Sequence, residues 1–367
     1  MKTIISFLVL ISFSTSFFGQ AREARFQRII DSTYQANSES NGIMVHVESP
    51  NNGVSWSGAA GYADKSNQES IEPDQPALIA SCTKTYVSAS ILRLVEEKKV
   101  CIDQPIKDLI SKKTRLLFES DGYVLDSITI AHLLSHTSGI EDYVGQDFMD
   151  FLFSDPMHRW TRDEQLEFAI RVGDPLAKPG KKYKYADTNY LLLTEVIEKL
   201  TGRTFYESMR VLLRYESLDI NNTWFHTLED EPGGVKELVH QYWGDLNSFQ
   251  VDASSDLYGG GGIACTTRDL AIFSYGLFNS EIIKDTAVFN LIYTKIHTSD
   301  SIQSNYCLGL MVEQYGALNA YGHLGFWGTC FFYIPELKTS IAVYILEKEK
   351  RKLYRDIIDQ IIQIIES

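Results

Sequence analysis

Cysteine is scarce in this 367-residue chain: there are five (Cys82, Cys101, Cys265, Cys307, Cys330), widely spaced and without a Cys-x-x-Cys pair. That argues against a disulfide framework and a zinc site, and the odd number leaves at least one thiol unpaired. Positive charge is also in deficit, with 34 Lys and Arg against 48 Asp and Glu and a formal net charge of −14. Such a chain offers no basic stripe to nucleic acid or to an anionic bilayer, so nucleic acid is not expected as a partner. Beyond the first twenty residues no apolar run is long enough to span a membrane, and no stable membrane insertion is expected. Gly-x-Ser-x-Gly is missing, and Gly259-Gly260-Gly261-Gly262 lacks the Gly-Lys-Ser/Thr ending of a phosphate loop. An α/β-hydrolase and a P-loop enzyme therefore drop out, and the glycine run reads as a flexible crossing behind a site.

What is present is an ordinary globular composition, 44% hydrophobic and 22% charged, sufficient for a large core. Met1-Lys2, the apolar run 4–13 and the small and polar residues 14–21 have the layout of a secretory signal peptide over 1–20, with no nearby cysteine for a lipid anchor. This predicts export to the periplasm or the medium. Helical spacing predicts a helix over 21–36, and short apolar runs at 43–47 and 54–61 flank the turn cluster Pro50-Asn51-Asn52-Gly53, which reads as a hairpin. From 79 to 252 the signals are mostly helical, among them a capping box at Thr161 and Glu164 and an apolar helix over 191–200 stopped by Thr201-Gly202. Strands return at 307–314, 329–334 and 339–346, and an amphipathic helix with Ile357, Ile358, Ile361 and Ile365 on one face closes the chain. The expected organisation is an α/β (α+β) fold in which 21–78 and 253–367 form a sheet-plus-helix region. The helical region 79–252 is inserted between them, and all three make one catalytic domain.

Four stretches carry chemistry. Ser81-Cys82-Thr83-Lys84 opens a helix on which Val87, Ile91, Leu94 and Val95 recur at helical spacing, so Ser81 and Lys84 lie one turn apart on the same side. A serine is a poor nucleophile unless a neighbouring base takes its proton, and a desolvated lysine can do so. By itself the tetrapeptide reads as a helix cap with a solvated lysine. The second stretch, from Ile130 to Gly139, places His132 and His136 a turn apart, but Leu133 stands where a zinc protease needs glutamate, so the run reads as a helix end closed by Gly139. The third, Lys184-Tyr185-Ala186-Asp187-Thr188-Asn189-Tyr190, sits at a loop-to-helix junction where a phenol near an ammonium can relay a proton. The same tripeptide at Tyr62-Ala63-Asp64 falls in a hairpin. The last, Tyr321 to Thr329, is rich in glycine, which permits close approach of backbone to a ligand.

Ser-x-x-Lys at Ser81, Leu-Ser-His-Thr-Ser-Gly-Ile at Leu134, Tyr-x-Asp-Thr-Asn-Tyr at Tyr185, the glycine run at Gly259 and His-x-Gly at His323 occur in that order. Together they resemble the serine β-lactamase and penicillin-binding superfamily, in its class C branch with D,D-peptidases, D-aminopeptidases and esterases, over about 42–346. The resemblance implies an antiparallel sheet flanked by helices with an all-helical region beside it, acylation of Ser81, and proton transfers shared by Lys84 and Tyr185. It further implies an oxyanion hole from the backbone N–H groups of Ser81 and Phe326, and His323, Leu324 and Gly325 along an edge strand. No cofactor or metal is implied, and the expected partner is a small-molecule or peptide substrate. Two departures matter: Asp187 replaces the asparagine usual in relatives, and His323-Leu324-Gly325 replaces Lys-Thr-Gly. An ionised Asp187 would hold Lys84 protonated and shift the base towards Tyr185. A histidine titrating near about pH 6.5 would grip a substrate carboxylate less well than lysine. The expectation is an exported serine hydrolase cleaving an ester or amide, of β-lactam or D-alanyl peptide type, through an acyl-serine. The alternatives are a carboxylesterase with little β-lactam activity, or a penicillin-binding or scaffold relative without turnover.

Overall fold

The structure is a computed structural model and describes residues 21–298 and 305–367; the expected signal peptide lies outside the described residues. Seven strands form one antiparallel sheet in the order Glu69–Ser70, Val54–Asp64, Gly42–Ser49, Thr339–Ile345, Thr329–Ile334, Leu318–Leu324, Met311–Tyr315. The two ends of the chain meet at its centre, where Val45 faces Val343. Alternation along the strands decides which layer each side chain joins. Ile43, Val45 and Val47 point to the terminal helices 21–36 and Leu353–Glu366, whose Phe26, Ile30, Ile357, Ile358 and Ile361 complete that apolar layer. Met44 and Tyr344 point the other way, into a larger cluster that runs through Val87 and Leu92 to Leu191 and Val196.

That second face is covered by helix Thr267–Phe278 and the helical block beyond it. The stretch 79–252 is not wholly helical. Strand Thr223–Phe225 joins Ala77–Leu78 and Ile263–Cys265 in a small sheet, and Tyr242–Trp243 pairs with Leu246–Asn247 as a hairpin. The capping box at Thr161 is present, with Thr161 accepting from the Glu164 N–H and the Glu164 carboxylate accepting in return.

Three local expectations are corrected by packing. The helix expected from Ser81 is a 3-10 turn over Ala80–Cys82 followed by an α-helix over Thr83–Glu96, and Ala80 takes a left-handed φ of 46° at the junction. This helix is buried all round from Thr83 to Leu92 rather than amphipathic, because it is the axis around which the other layers pack. Its hydroxyls are satisfied by neighbours: Thr85 donates to the Gly309 carbonyl (2.9 Å) and Ser88 to the Leu308 carbonyl (2.8 Å). Those two bonds hold the 307–309 backbone against the helix, so the strand expected over 307–314 begins only at Met311.

Because the terminal-helix layer lies on the sheet face opposite the helical block, Ile361→Ala should weaken the fold without altering catalysis. We expect a loss of about 2–5 kcal/mol in urea unfolding, as for other buried isoleucines cut to alanine. In the folded range kcat/KM should match wild type; a parallel loss of activity there would mean that the two faces are coupled.

Candidate active site

Ser81, at the turn before the central helix, lines a cavity of about 390 Å³ between the sheet and the helical block. One turn on, Lys84 is wholly buried. Its Nζ donates to Ser81 Oγ (2.9 Å) and to the Gly260 carbonyl (2.5 Å), and Asp187 Oδ1 stands 2.6 Å away, near enough to pair as an ion though off the hydrogen-bonding direction. The glycine run is therefore no flexible crossing. Gly260 approaches within a methyl group's width of Asp187, and a Cβ on Gly261 would fall 2.2 Å from Asp256 Oδ2, so only glycine brings the accepting carbonyl to the lysine.

Tyr185 and Asp187 precede helix Thr188–Thr201, and both reach the cavity. Tyr185 stands next to the Ser81 hydroxyl, and its ring lies 5.0 Å from Lys84 Nζ. Burial, then the Asp187 charge, raise its pKa well above the usual phenol value, with the neighbouring Ser81 hydroxyl opposing. The resting group is thus a neutral phenol rather than a phenolate. The other Tyr-Ala-Asp tyrosine, Tyr62, pairs with Ser70 at the far end of the sheet.

Leu324, Gly325 and Phe326 also line the cavity. Pairing with the outermost strand stops at Gly322, opposite Met311, so the His323–Leu324 end of the inner strand is the exposed edge of the ladder. Gly325 closes the following turn by donating to the Thr329 carbonyl (2.7 Å); a Cβ there would lie 2.1 Å from Thr329 Oγ1. His323 is where expectation and geometry part. Its side chain is fully buried, with Nδ1 donating to the Leu324 carbonyl (2.8 Å) and Nε2 accepting from the Tyr306 hydroxyl (3.0 Å). Burial and the Lys84 charge lower its pKa to about 3, so the ring stays neutral and does not turn to meet a carboxylate near pH 6.5.

Two carboxylates that sequence reasoning missed join the site. Asp142, from the loop after the His-Thr-Ser-Gly run, accepts the Asp187 N–H through Oδ1 (2.9 Å). Asp256, from the turn Ala253–Asp256, keeps its Oδ1 buried without a hydrogen-bond partner among the described residues. Burial and the Asp187 charge raise Asp142 to about 8 and Asp256 to about 7. In the unfolded chain both ionise near pH 4, so each lowers stability progressively as pH rises from there to its folded pKa, with the full penalty above it. The signal for them was weak: Asp142 lies two residues past a motif and Asp256 three before another, in ordinary loop surroundings.

Apart from Arg351 and Ser255 the remaining walls are apolar, among them Phe148 and Leu152 of helix Gln146–Ser154, Trp243 of the hairpin, and Phe326 and Trp327. The assembled cavity holds a hydroxyl beside an ammonium and a phenol, two carboxyl groups with raised pKa, and room for one apolar group.

A family model described as Beta-lactamase matches residues 32–361. A penicillin-binding protein of Bacillus subtilis (strain 168) is 22% identical over 316 residues, covering 81% of this chain and 66% of the relative, so the chain spans about two thirds of that relative's length. D-amino acid amidase from Ochrobactrum anthropi SV3, complexed with L-phenylalanine amide, superposes with a TM-score of 0.77 at 22% identity, covering 94% of this chain and 99% of that one. EstCE1, a hydrolase with promiscuous acyltransferase activity, superposes with a TM-score of 0.71 at 18% identity, covering 95% and 99%.

The Lys84 environment makes a stability prediction. Asp187→Ala removes the only carboxylate in direct contact with the buried ammonium among the described residues and should cost about 3–5 kcal/mol in urea unfolding at pH 7. Asp187→Asn keeps the size and an oxygen but removes the counter-charge, and should lose a similar amount. A much smaller loss in Asp187→Asn would show that an accepting oxygen, rather than the charge, is what Lys84 requires.

Proposed function

Because the chain belongs to the beta-lactamase family, we propose that it is an exported serine hydrolase in which Ser81 takes an acyl group from an amide or ester and water then removes it. The observation that carries this reading is the Ser81 hydroxyl, hydrogen-bonded to the Lys84 ammonium and set beside the Tyr185 phenol at the wall of an open cavity. As Ser81 Oγ bonds to the carbonyl carbon, Tyr185 Oη takes the Ser81 proton and in the same concerted relay passes its own proton to the leaving nitrogen or oxygen, whose bond to that carbon breaks. The phenol begins and ends neutral, which suits its raised pKa. Lys84 keeps its protons and stabilises the charge developing on Ser81 Oγ, with Asp187 as its counter-ion. The N–H groups of Ser81 and Phe326 take the oxyanion in this reading. Export rests on the layout of residues 1–20.

The walls favour one kind of acyl group. Asp142 and Asp256 invite a cation, and the aromatic surfaces of Phe148, Trp243 and Phe326 invite an apolar side chain, so an amide or ester of an amino acid with a free ammonium fits best. The D-amino acid amidase relative, whose structure holds L-phenylalanine amide, supports that class. A β-lactam or D-alanyl peptide carboxylate finds no lysine at His323-Leu324 and meets only Arg351 at the cavity wall. The second reading, a carboxylesterase for neutral acyl groups, is favoured by the apolar walls alone.

Two matched nitrophenyl esters, of phenylalanine and of its desamino analogue 3-phenylpropionate, separate these readings. At pH 7 the amino ester should have the higher kcat/KM, and the ratio should fall at least about ten-fold in Asp142→Asn or Asp256→Asn, the scale of one lost hydrogen bond to a charged group. A desamino preference that neither substitution changes would favour the carboxylesterase. A chromogenic cephalosporin and a D-alanyl dipeptide in the same panel should turn over more slowly than the amino ester.

A further inference from the structure

Tyr185 rides on a segment with no ladder of its own. Between the helix ending at Val172 and the one beginning at Thr188, the chain has neither helix nor strand. What fixes it is the turn from His136 to Gly139. The Gly180 N–H donates to the Thr137 carbonyl (2.8 Å) and the Leu176 N–H to the Gly139 carbonyl (2.9 Å). At Tyr185 itself the grip comes from one residue. The N–H of Lys184, just before it, donates to the His136 carbonyl (3.0 Å), and the N–H of Ala186, just after it, donates to His136 Nδ1 (3.2 Å). Between those two anchors the imidazole lies along the tyrosine ring, with centroids 4.2 Å apart and planes 31° from parallel.

Several features show that the surroundings over-determine this histidine. Its backbone has a left-handed φ of 56°, a conformation that a non-glycine residue keeps only under constraint. The side chain is 1% exposed. Nδ1 accepts from Ala186 and lies 3.3 Å from the Asn189 side-chain amide, so the hydrogen-bond network assigns the proton to Nε2, which has no hydrogen-bond partner among the described residues. The imidazole is surrounded by the rings of Tyr185, Tyr190 and Tyr306, with centroids 4.2, 5.2 and 4.8 Å from its own. Burial, Lys84 and His323 hold the ring neutral by lowering its pKa well below the usual value, and a neutral ring is what Nδ1 needs to go on accepting.

We propose that His136 is a positioning residue that clamps the Tyr185 peptide from both sides and seats its ring, so that the phenol oxygen stays on the line between Ser81 and the leaving atom. This rests on reading Tyr185 as the proton relay. The role separates into two parts, an acceptor for Ala186 and a flat surface for the ring. His136→Phe keeps the surface and removes the acceptor. His136→Asn keeps an acceptor near the backbone, tolerates the left-handed φ, and removes the surface.

The test uses an amide and a nitrophenyl ester of the same acyl group. Nitrophenolate leaves without a proton, whereas an amine must receive one, so a misplaced relay harms the amide more. For His136→Phe the ratio of kcat/KM on amide to that on ester should fall at least about ten-fold, within the range of general acid catalysis, while KM changes by less than about three-fold. Tyr185→Phe should lower the same ratio further, and the double variant should fall no lower than Tyr185→Phe alone. A folded His136→Phe that loses both activities equally, or a double variant whose losses multiply, overturns the proposal. If His136→Phe does not fold, His136→Asn is judged by the same ratio. If Tyr185→Phe leaves the ratio unchanged, the relay reading fails and this proposal with it. If only the His136 variants leave it unchanged, the relay stands and the clamp is wrong.

Discussion

A lysine side chain with no solvent contact, set in a helix buried all round from Thr83 to Leu92, is the constraint on which the rest depends. An ammonium taken from water must find oxygen partners and a counter-charge, or it is expelled or deprotonated. Lys84 finds them on three separate stretches: Ser81 on its own helix, Gly260 on the glycine run, and Asp187 at the next helix start. Each partner then fixes its surroundings. The glycine run has to pass so close to Asp187 and Asp256 that side chains are excluded from it. Asp187 occupies the N-cap position of Thr188–Thr201, where an aspartate ordinarily accepts from the helix N–H groups, yet it makes no such cap bond because its carboxylate is turned to Lys84. Helix stability is given up locally to hold a charge beside a nucleophile.

The same charge governs the acidity around it. Three carboxylates, Asp142, Asp187 and Asp256, stand near one ammonium, and with Asp187 committed to Lys84 the others are driven towards their neutral forms. A substrate cation entering the cavity would replace the missing counter-charge and draw their protons off. The relay fits this field as well. A phenolate would be repelled by Asp187, whereas a neutral phenol that receives one proton and gives up another never has to carry the charge.

Much of this was legible in the sequence where a rule is local. Ser81 and Lys84 one turn apart, Tyr185 at a helix entrance, the Thr161 capping box and the apolar face of the last helix all depend on neighbours within a few residues. What was not legible depends on distant packing. The strand expected over 307–314 starts later, at Met311, because its aromatic and branched residues carry no sign that Thr85 and Ser88 claim the carbonyls of Gly309 and Leu308. For His323 the sequence suggests no more than an ordinary histidine pKa, and only the partners Tyr306 and Leu324 reveal a ring sealed in one neutral tautomer. Asp142 and Asp256 look like loop aspartates until the fold sets both beside Asp187. His136 drew notice for its spacing from His132, whereas its position is decided by residues some fifty positions later in the chain.

The central claim, that Ser81 carries the acyl group, is tested most directly by intact-mass analysis of the full chain after reaction with a fluorophosphonate or a slowly released ester, followed by peptide mapping. The wild type should gain one adduct, located on the peptide containing Ser81, and Ser81→Ala should gain none while losing turnover by a factor on the order of a million. An adduct of the same stoichiometry on folded Ser81→Ala, or one mapped to another peptide in the wild type, would contradict the account.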